Sequence, residues 1–581
     1  MKRYIYILSL LVAGAAAPLH AQQDSTLNRT VVVEQEYTPD IQSATKVNIL
    51  PTVEVPTAEK RAVEYDVTAT PISAMPTSTL PAFSGEESAT QALPGYARLG
   101  YGNRWNLDAY AHYRFALSPQ DRLQVRFSLD GNNGERECLR ENNGTQPDNG
   151  AAARLNRWDA YFYHTEAAAD YRHLFRRMAL DARAQLGLSN FNYLLNVAED
   201  QGNERQKFLS WDVHVGVTST DNSLPIQFKA ETNLLSYSRK NDFLWQEMQE
   251  YILRTRGEAY GNIDEEQQVG VAVSMDNLFY PAPRRQGDEY LHSAERFQDY
   301  TVLEANPYYL HRQGNWNFRL GANLQLSLQY GKDFQASPDV EVSYDLFKKH
   351  RFYLQATGGR RANDFRALEQ QNPYLLLYRS NGLLQPEDSY ETLNAVAGVK
   401  SSPLEGLWLH LYGGYQLLEN DLFTGYTALD TQGYVFASQR DTRNFRVGID
   451  ASYSYKELFT LSASATKYAW RASHTEEDKA GNELRDCLFA FKPDLRLEFT
   501  ATLHPLTPLH IELSYRHVVR EAYSLGKMNP ISNLHAHVSY ELLDNIALYA
   551  WAENLLNKQY QLSWGHFAQK LHFWGGMSFR F

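Results

Sequence analysis

Two histidines, His535 and His537, stand at i and i+2 in a stretch that reads as a strand. That spacing places both imidazoles on one face, where they could grip a transition metal. His510 shares the polar face of the preceding predicted strand; His517 does not. The same pattern fits the polar lining of a wide lumen, and that is how we read it. Carboxylates recur on such faces at Asp108, Asp130, Asp159, Asp181, Asp212 and Glu231, with Arg122, Arg126, Arg183 and Arg319 beside them. Mixed charge of this kind suits either ion pairs across a lumen or a ring that selects a charged substrate. Aromatic side chains in polar stretches (Trp245, Tyr251, Tyr374, Tyr378, Phe423, Tyr426, Tyr434) could stack on sugars or a partner protein, or stand in the loops without a ligand. No HExxH, GxSxG, P-loop or GxGxxG occurs. We therefore expect no catalytic residue, no bound cofactor and no metal site. The two cysteines, Cys138 and Cys487, exclude a disulfide framework and a thiolate zinc centre, leaving a single bridge as the one pairing available. Asn28-Arg-Thr30 and Asn143-Gly-Thr145 match glycosylation acceptors only by pattern.

The elements that must position these residues are strands. Leu123, Val125, Phe127 and Leu129 oppose Arg122, Gln124, Arg126 and Asp130. Trp211 to Val217, Trp316 to Leu328 and Ile511 to Tyr515 alternate in the same way. Each apolar face is free of charge over roughly ten residues, the length a tilted strand needs to cross a bilayer. Short links at Ser118–Asp121, Phe175–Arg177, Asp221–Pro225, Gln313–Asn315, Phe347–His350, Pro403–Gly406, Tyr455–Leu458, His504–Pro508 and Leu543–Asn545 alternate with long polar stretches. The long ones are Gly131–Asn156, Asn190–Lys207, Arg239–Glu265, Arg361–Asp388, Glu419–Asp441 and Arg471–Arg485. A soluble sandwich has no reason to keep that order, whereas an outer-membrane barrel has turns on one side and loops on the other. At roughly 22 residues per strand and connection, residues 95–581 hold about 20–22 strands. We expect an all-β fold: a large transmembrane antiparallel β-barrel with an extended N-terminal periplasmic arm.

The 581 residues carry a net charge of −12, which disfavours nucleic acid as a partner. Mean hydropathy is −0.50, low for a membrane protein but ordinary for a barrel, in which half of each strand faces water. Aromatics reach 13%, enough to supply girdles at both membrane interfaces. Lys2 and Arg3, the apolar run Ile5 to Ala17 and the small residue Ala21 read as a signal peptide over 1–21. Removing it takes Lys2 and Arg3 away and shifts the net charge from −12 to −14. Residues 22–94 form the arm, punctuated by Pro39, Pro51, Pro56, Pro71, Pro76 and Pro81, which favour extended chain. Residues 95–581 form the barrel.

The last strand ends on alternating apolar residues, with Phe573, Met577, Phe579 and Phe581 on one face. Just before it stands Asn554-Leu-Leu-Asn557-Lys-Gln-Tyr560. These two stretches resemble the end of the TonB-dependent receptor barrels, where an Asn-Leu-x-Asn-x-x-Tyr stretch ends the penultimate strand and an aromatic-ended strand closes the barrel. The resemblance implies a cell outer-membrane location, outer-membrane lipid as surroundings and insertion by the barrel-assembly machinery through that C-terminal signal. It also implies a TonB-type energy transducer as partner. Arg29, Thr30, Val31, Val32, Val33 and Glu34 look like the short TonB box that such a partner pairs with by strand addition; a β-prone piece of arm docked on its own barrel fits them too. The chain departs from the family in one respect: about seventy residues before the barrel cannot hold a globular plug, so the lumen needs another occluder, be it the arm, an inward-folded loop or a partner. Three functions follow as expectations. The first is plug-less uptake or passage of a nutrient or ligand. The second is a structural or assembly role among envelope proteins with the arm as docking segment. The third is a secreted glycan-binding β-protein.

Overall fold

The computed structural model describes residues 93–140, 154–192, 205–240, 245–282, 284–285, 296–347, 349–375, 377–379, 382–383, 385–426, 435–472, 492–520, 529–563 and 566–581. The predicted signal peptide, the arm up to residue 92, Arg29–Glu34, both sequons and Cys487 lie outside these residues.

Alternating side chains produce 22 antiparallel strands in one closed barrel. Each strand pairs with its neighbours along the chain, and the first, Gly95–Gly102, pairs with the last, His572–Arg580, with Leu99 opposite Met577. Closure brings the backbones very near each other: a Cβ added to Gly576 would sit 2.0 Å from the Leu99 carbonyl oxygen. Only glycine allows that approach.

The outer wall is apolar. Leu320, Val213, Phe127 and Leu513 each expose 38–50% of their surface, far more than a core residue would, and they face outward because lipid is the intended solvent. Phe573, Met577 and Phe579 stand on the same outer face. Aromatic rings gather at the short-turn end of this wall. Tyr113 packs on Phe581, and Trp316 packs on Phe318 and Tyr344. Such belts suit a membrane interface. No helix among the described residues is long and apolar enough to cross a membrane.

Every predicted short link is a tight connection at one end of the barrel. The termini of the barrel share that end: Gly95 N donates to the Phe581 carbonyl, and Pro94 accepts from Arg114 N. One expected loop is corrected. Arg239–Glu265 is not a long loop: it contains the strand Trp245–Asn262, followed by the turn at Ile263–Glu266 and the strand Gln267–Phe279. The lumen face of Trp245–Asn262 carries Glu250, Arg254, Arg256 and Glu258, and its outer face carries Thr255, Gly257, Ala259 and Gly261. Weak apolar contrast hid the period. Asp264 makes the turn, its carboxylate accepting from the amides of Glu266 at 2.8 Å and Gln267 at 2.7 Å.

Candidate functional site

The lumen contains a feature that alternation could not reveal. The segment between the strands His350–Arg361 and Ser389–Leu404 turns inward and lays a short helix, α1 (Phe365–Gln371), against the wall. Its sequence explains the local fold. Asp364 caps the N-terminus, accepting from Ala367 N at 2.8 Å, residues with good helical propensity follow, and Pro373 stops continuation. Phe365 and Leu368 lie at i and i+3 on one face and are both buried.

They are buried against an apolar patch on the lumen side of the barrel. Phe191, Phe208, Tyr237, Met248, Ile252 and Leu278 project inward from neighbouring strands, and Phe365, Leu368, Leu375 and Leu377 cover them. Phe365 packs edge-on to Phe297 at 5.6 Å and Tyr237 at 6.1 Å. A polar lumen would leave such residues in water, so covering them favours the inward position by about 1.5–3 kcal/mol for each large side chain.

Directional contacts then fix the segment. Arg366 forks onto the Asp212 carboxylate and donates to the Ser236 carbonyl at 3.1 Å. Burial works against its charge, and the bond to Asp212 together with nearby carboxylates overcomes this and holds the Arg366 pKa above its ordinary value. Glu369 accepts from Ser189 at 2.8 Å and from the Tyr237 hydroxyl. Arg239, 1% exposed, donates to the Leu375 carbonyl at 2.7 Å. Beneath them Arg360 joins Asp276 at 2.9 Å and Asp388 at 2.6 Å, and Arg254 joins the same Asp276 at 2.9 Å. Asp388 also accepts from Asn363 N at 3.1 Å, so this buried network ties the start of the segment to the wall.

The opposite wall, on both sides of the closing seam, has another character. Arg98 pairs with Asp108 at 2.7 Å and lies over the rings of Tyr110 and Tyr549. His537 packs on Trp551 at 4.9 Å, Trp551 on Trp574 at 5.7 Å, and His572 on Trp574 at 5.9 Å. His537 is 5% exposed, and neither of its ring nitrogens has a hydrogen-bond partner among the described residues.

The residues singled out by sequence fall into place unevenly. His535 and His537 share the lumen face, and His510 lies 5.9 Å from His537 between ring centres; His517 is on the other face, bonded to Ser532. Among the described residues no group of three His, Cys, Asp or Glu side chains converges as metal ligands. The carboxylates Asp108, Asp181, Asp212 and Glu231 all meet cations: Arg98, Arg172, Arg366 and Lys229. Arg126, Arg183 and Arg319 pair with Glu166, Asp170 and Asp339. Structural ion pairing is thus the observed use of most of them. Asp159 is a correction: its register partner Glu135 and its neighbour Tyr161 share the outer face, so it points away from the lumen. Tyr374 and Phe423 are not displayed for a ligand either. Tyr374 packs on Phe191, and Phe423 is 2% exposed beneath Lys492. Tyr251 lies in a strand beside Trp211. The side chains of Trp245, Tyr378 and Tyr426, and the whole of Tyr434, lie outside the described residues. Sequence reasoning missed α1. Its signal was present in the Asp364 cap, the helix-forming run and Pro373.

The comparisons with known proteins bear on the wall. The structure of Pseudomonas aeruginosa FpvA bound to heterologous pyoverdines superposes with a TM-score of 0.59 at 12% identity, covering 84% of this chain and 72% of that one. The FrpB iron transporter from Neisseria meningitidis gives 0.61 at 10% identity, with 85% and 82% covered. A mutant of the ferric enterobactin receptor PfeA from Pseudomonas aeruginosa gives 0.61 at 12%, with 85% and 81% covered. The fold is that of the TonB-dependent receptor barrel. At these identities the likeness shows the fold alone. The sequence matches no protein-family model and no curated protein.

Proposed function

We propose that this protein is an outer-membrane barrel of TonB-dependent receptor type, without a folded plug, through which a nutrient or ligand passes. The observation that carries the reading is the inward segment around α1. A barrel of 22 strands is too wide to be left open, and this segment narrows it from one wall by contacts built into the lumen face. The seam wall would then be the face a passing ligand meets, with Arg98, His537, Trp551 and Trp574 on it. The C-terminal face of Phe573, Met577, Phe579 and Phe581 serves as the insertion signal, and Arg29 to Glu34 serve as the strand offered to an energy transducer. Deleting Arg29–Glu34 tests the energised part of the reading: uptake should stop while the barrel still inserts and shows heat-modifiable gel mobility. Uptake equal to that of the full chain would overturn it.

A second reading rests on where the arm leaves the barrel. Pro94 and Gly95 sit at the short-turn end, the periplasmic side of such a barrel, and residues 22–92 are free in length to reach other envelope proteins. In that reading the protein is an assembly component. Co-purification with other envelope proteins in fixed ratio, lost on removal of the arm, would favour it over transport.

A further inference from the structure

At the long-loop end, two guanidiniums are drawn over one glycine on the lumen side of the wall. The first is Arg136. Its strand, Asp121–Arg140, turns even-numbered side chains inward: Asn132 lies opposite Phe162, which packs on the apolar patch under α1. Arg136 therefore faces the lumen, and it reaches back along its own strand to donate to the Asn132 side chain. Gly134 stands between the two and leaves that path clear. Arg104 crosses the same glycine from the turn Asn103–Trp105: a Cβ added to Gly134 would lie 3.2 Å from the Arg104 Cβ. Arg104 and Trp105 both have left-handed backbone, with φ of 55° and 52°. Non-glycine residues in that region carry strain and persist only where the surroundings hold them. Here the Asn106 side chain donates to the Asn103 carbonyl at 2.6 Å, Phe573 N donates to the Asn103 side chain at 2.8 Å, and Arg104 donates to the Glu135 carbonyl at 3.0 Å.

Neither cation is in an ion pair among the described residues. Glu135 and Glu137 point to the outer face, where they meet Arg157 and Lys570. The ionisable groups that act on the Arg136 charge are Tyr374 and Arg104, and no carboxylate is among them. Its Nε is buried and has no hydrogen-bond partner among the described residues. Arg98, Arg126, Arg319 and Arg360 face the same lumen, and each of them meets a carboxylate. A buried charge without a counter-charge is costly, and a second guanidinium beside it adds to the cost. The chain carries that cost at Arg136 and spends backbone strain to bring Arg104 to it.

We propose that Arg104 and Arg136 form an acceptor for an oxyanion, a carboxylate or phosphate group of the ligand that enters the lumen. The anion supplies the counter-charge that the chain omits, and the guanidiniums offer it planar, forked donors. Tyr374, which follows α1 and packs on Phe191, borders the site from the inward segment. The turn Asn103–Trp105 borders it from the seam. The acceptor thus stands where the two walls of the lumen meet. The inference rests on the transport reading and adds to it the charge class of what is carried.

The test uses the purified full chain in detergent at neutral pH and constant ionic strength, with inorganic phosphate, citrate and uncharged glucose as probes. The thermal midpoint is read against probe concentration, which yields an affinity. Phosphate or citrate should raise the midpoint, and glucose should not. Arg136→Gln should weaken anion binding about tenfold, the loss of one charged hydrogen-bonding partner. Arg104→Asn, which keeps a residue tolerant of the left-handed backbone, should do the same. Without any probe, Arg136→Gln should leave the midpoint equal or higher, because it removes an uncompensated charge, whereas loss of a structural arginine would lower it. Heat-modifiable mobility confirms that each variant is folded. A shift with citrate alone assigns the site to carboxylates, and one with phosphate alone to phosphate groups. No shift with either anion, an equal shift with glucose, unchanged binding in folded Arg136→Gln, or a lower probe-free midpoint for that variant would overturn the proposal. The measurement involves no passage across a membrane, so its failure leaves the transport reading standing. That reading fails separately, if uptake survives deletion of Arg29–Glu34.

Discussion

The two walls of the lumen use the same residue types to opposite ends. On the wall that carries α1, Arg360 is enclosed between Asp276 and Asp388 with 4% of its side chain exposed, and apolar residues seal the rest. On the seam wall, Arg98 is similarly hidden, but rings surround it and His537 nearby has two unpartnered nitrogens. Charges on the first wall are spent on holding a segment of the chain. Those on the second are held among aromatic surfaces, with polar atoms still available. A polar lumen is therefore not one environment: whether a charge is structural depends on what is folded over it.

The largest effect is expected from Arg360→Met. It leaves Asp276 and Asp388 buried with one cation fewer, which should cost about 3–5 kcal/mol, read as a lower denaturant midpoint in detergent. Arg98→Met on the seam wall should cost less, because Asp108 keeps the Tyr549 hydroxyl at 2.7 Å. Equal losses would break the distinction between the walls. Next comes Leu368→Ala. Removing a fully buried side chain from the cap should weaken the inward position by about 2–3 kcal/mol. Hydrogen exchange should rise across Phe365–Gln371 and stay unchanged in the seam strands; a uniform rise would show that the segment is not a separate unit. Smaller again is the coupling between Arg366 and Asp212. A double-mutant cycle with Arg366→Ala and Asp212→Ala should give about 1–3 kcal/mol, and a value near zero would mean that the apolar cap alone holds α1. The smallest effect should be His537→Phe. With no hydrogen bond to lose, it should change stability by less than about 1 kcal/mol, and a large loss would reveal a structural role for the seam imidazoles.

How much of this was legible follows from the physics of each part. The barrel was, because lipid outside and polar lumen inside impose a period of two on every wall strand, as Trp316 to Leu328 shows. The strand Trp245–Asn262 escaped because small residues such as Gly257 and Ala259 can face lipid without looking apolar. The inward segment escaped for a different reason. Phe191, Phe208 and Tyr237 sit at lumen positions and read as exceptions to alternation, and only the fold shows that they share one patch with Phe365 and Leu368. Asp159 was misplaced because it lies above the belt, where neither face is constrained by lipid and charge no longer reports direction. Pairing of Asp212 with Arg366, 154 positions later in the chain, has no local signature at all.

The central claim is that the segment carrying α1 (Phe365–Gln371) narrows the lumen by lying on its wall. Single-channel recording of the purified full chain in a planar bilayer, beside a variant in which 362–388 is replaced by a short glycine–serine link, tests it most directly. The account predicts small or no current from the full chain and large, stable steps from the variant. The same conductance from both proteins would contradict it.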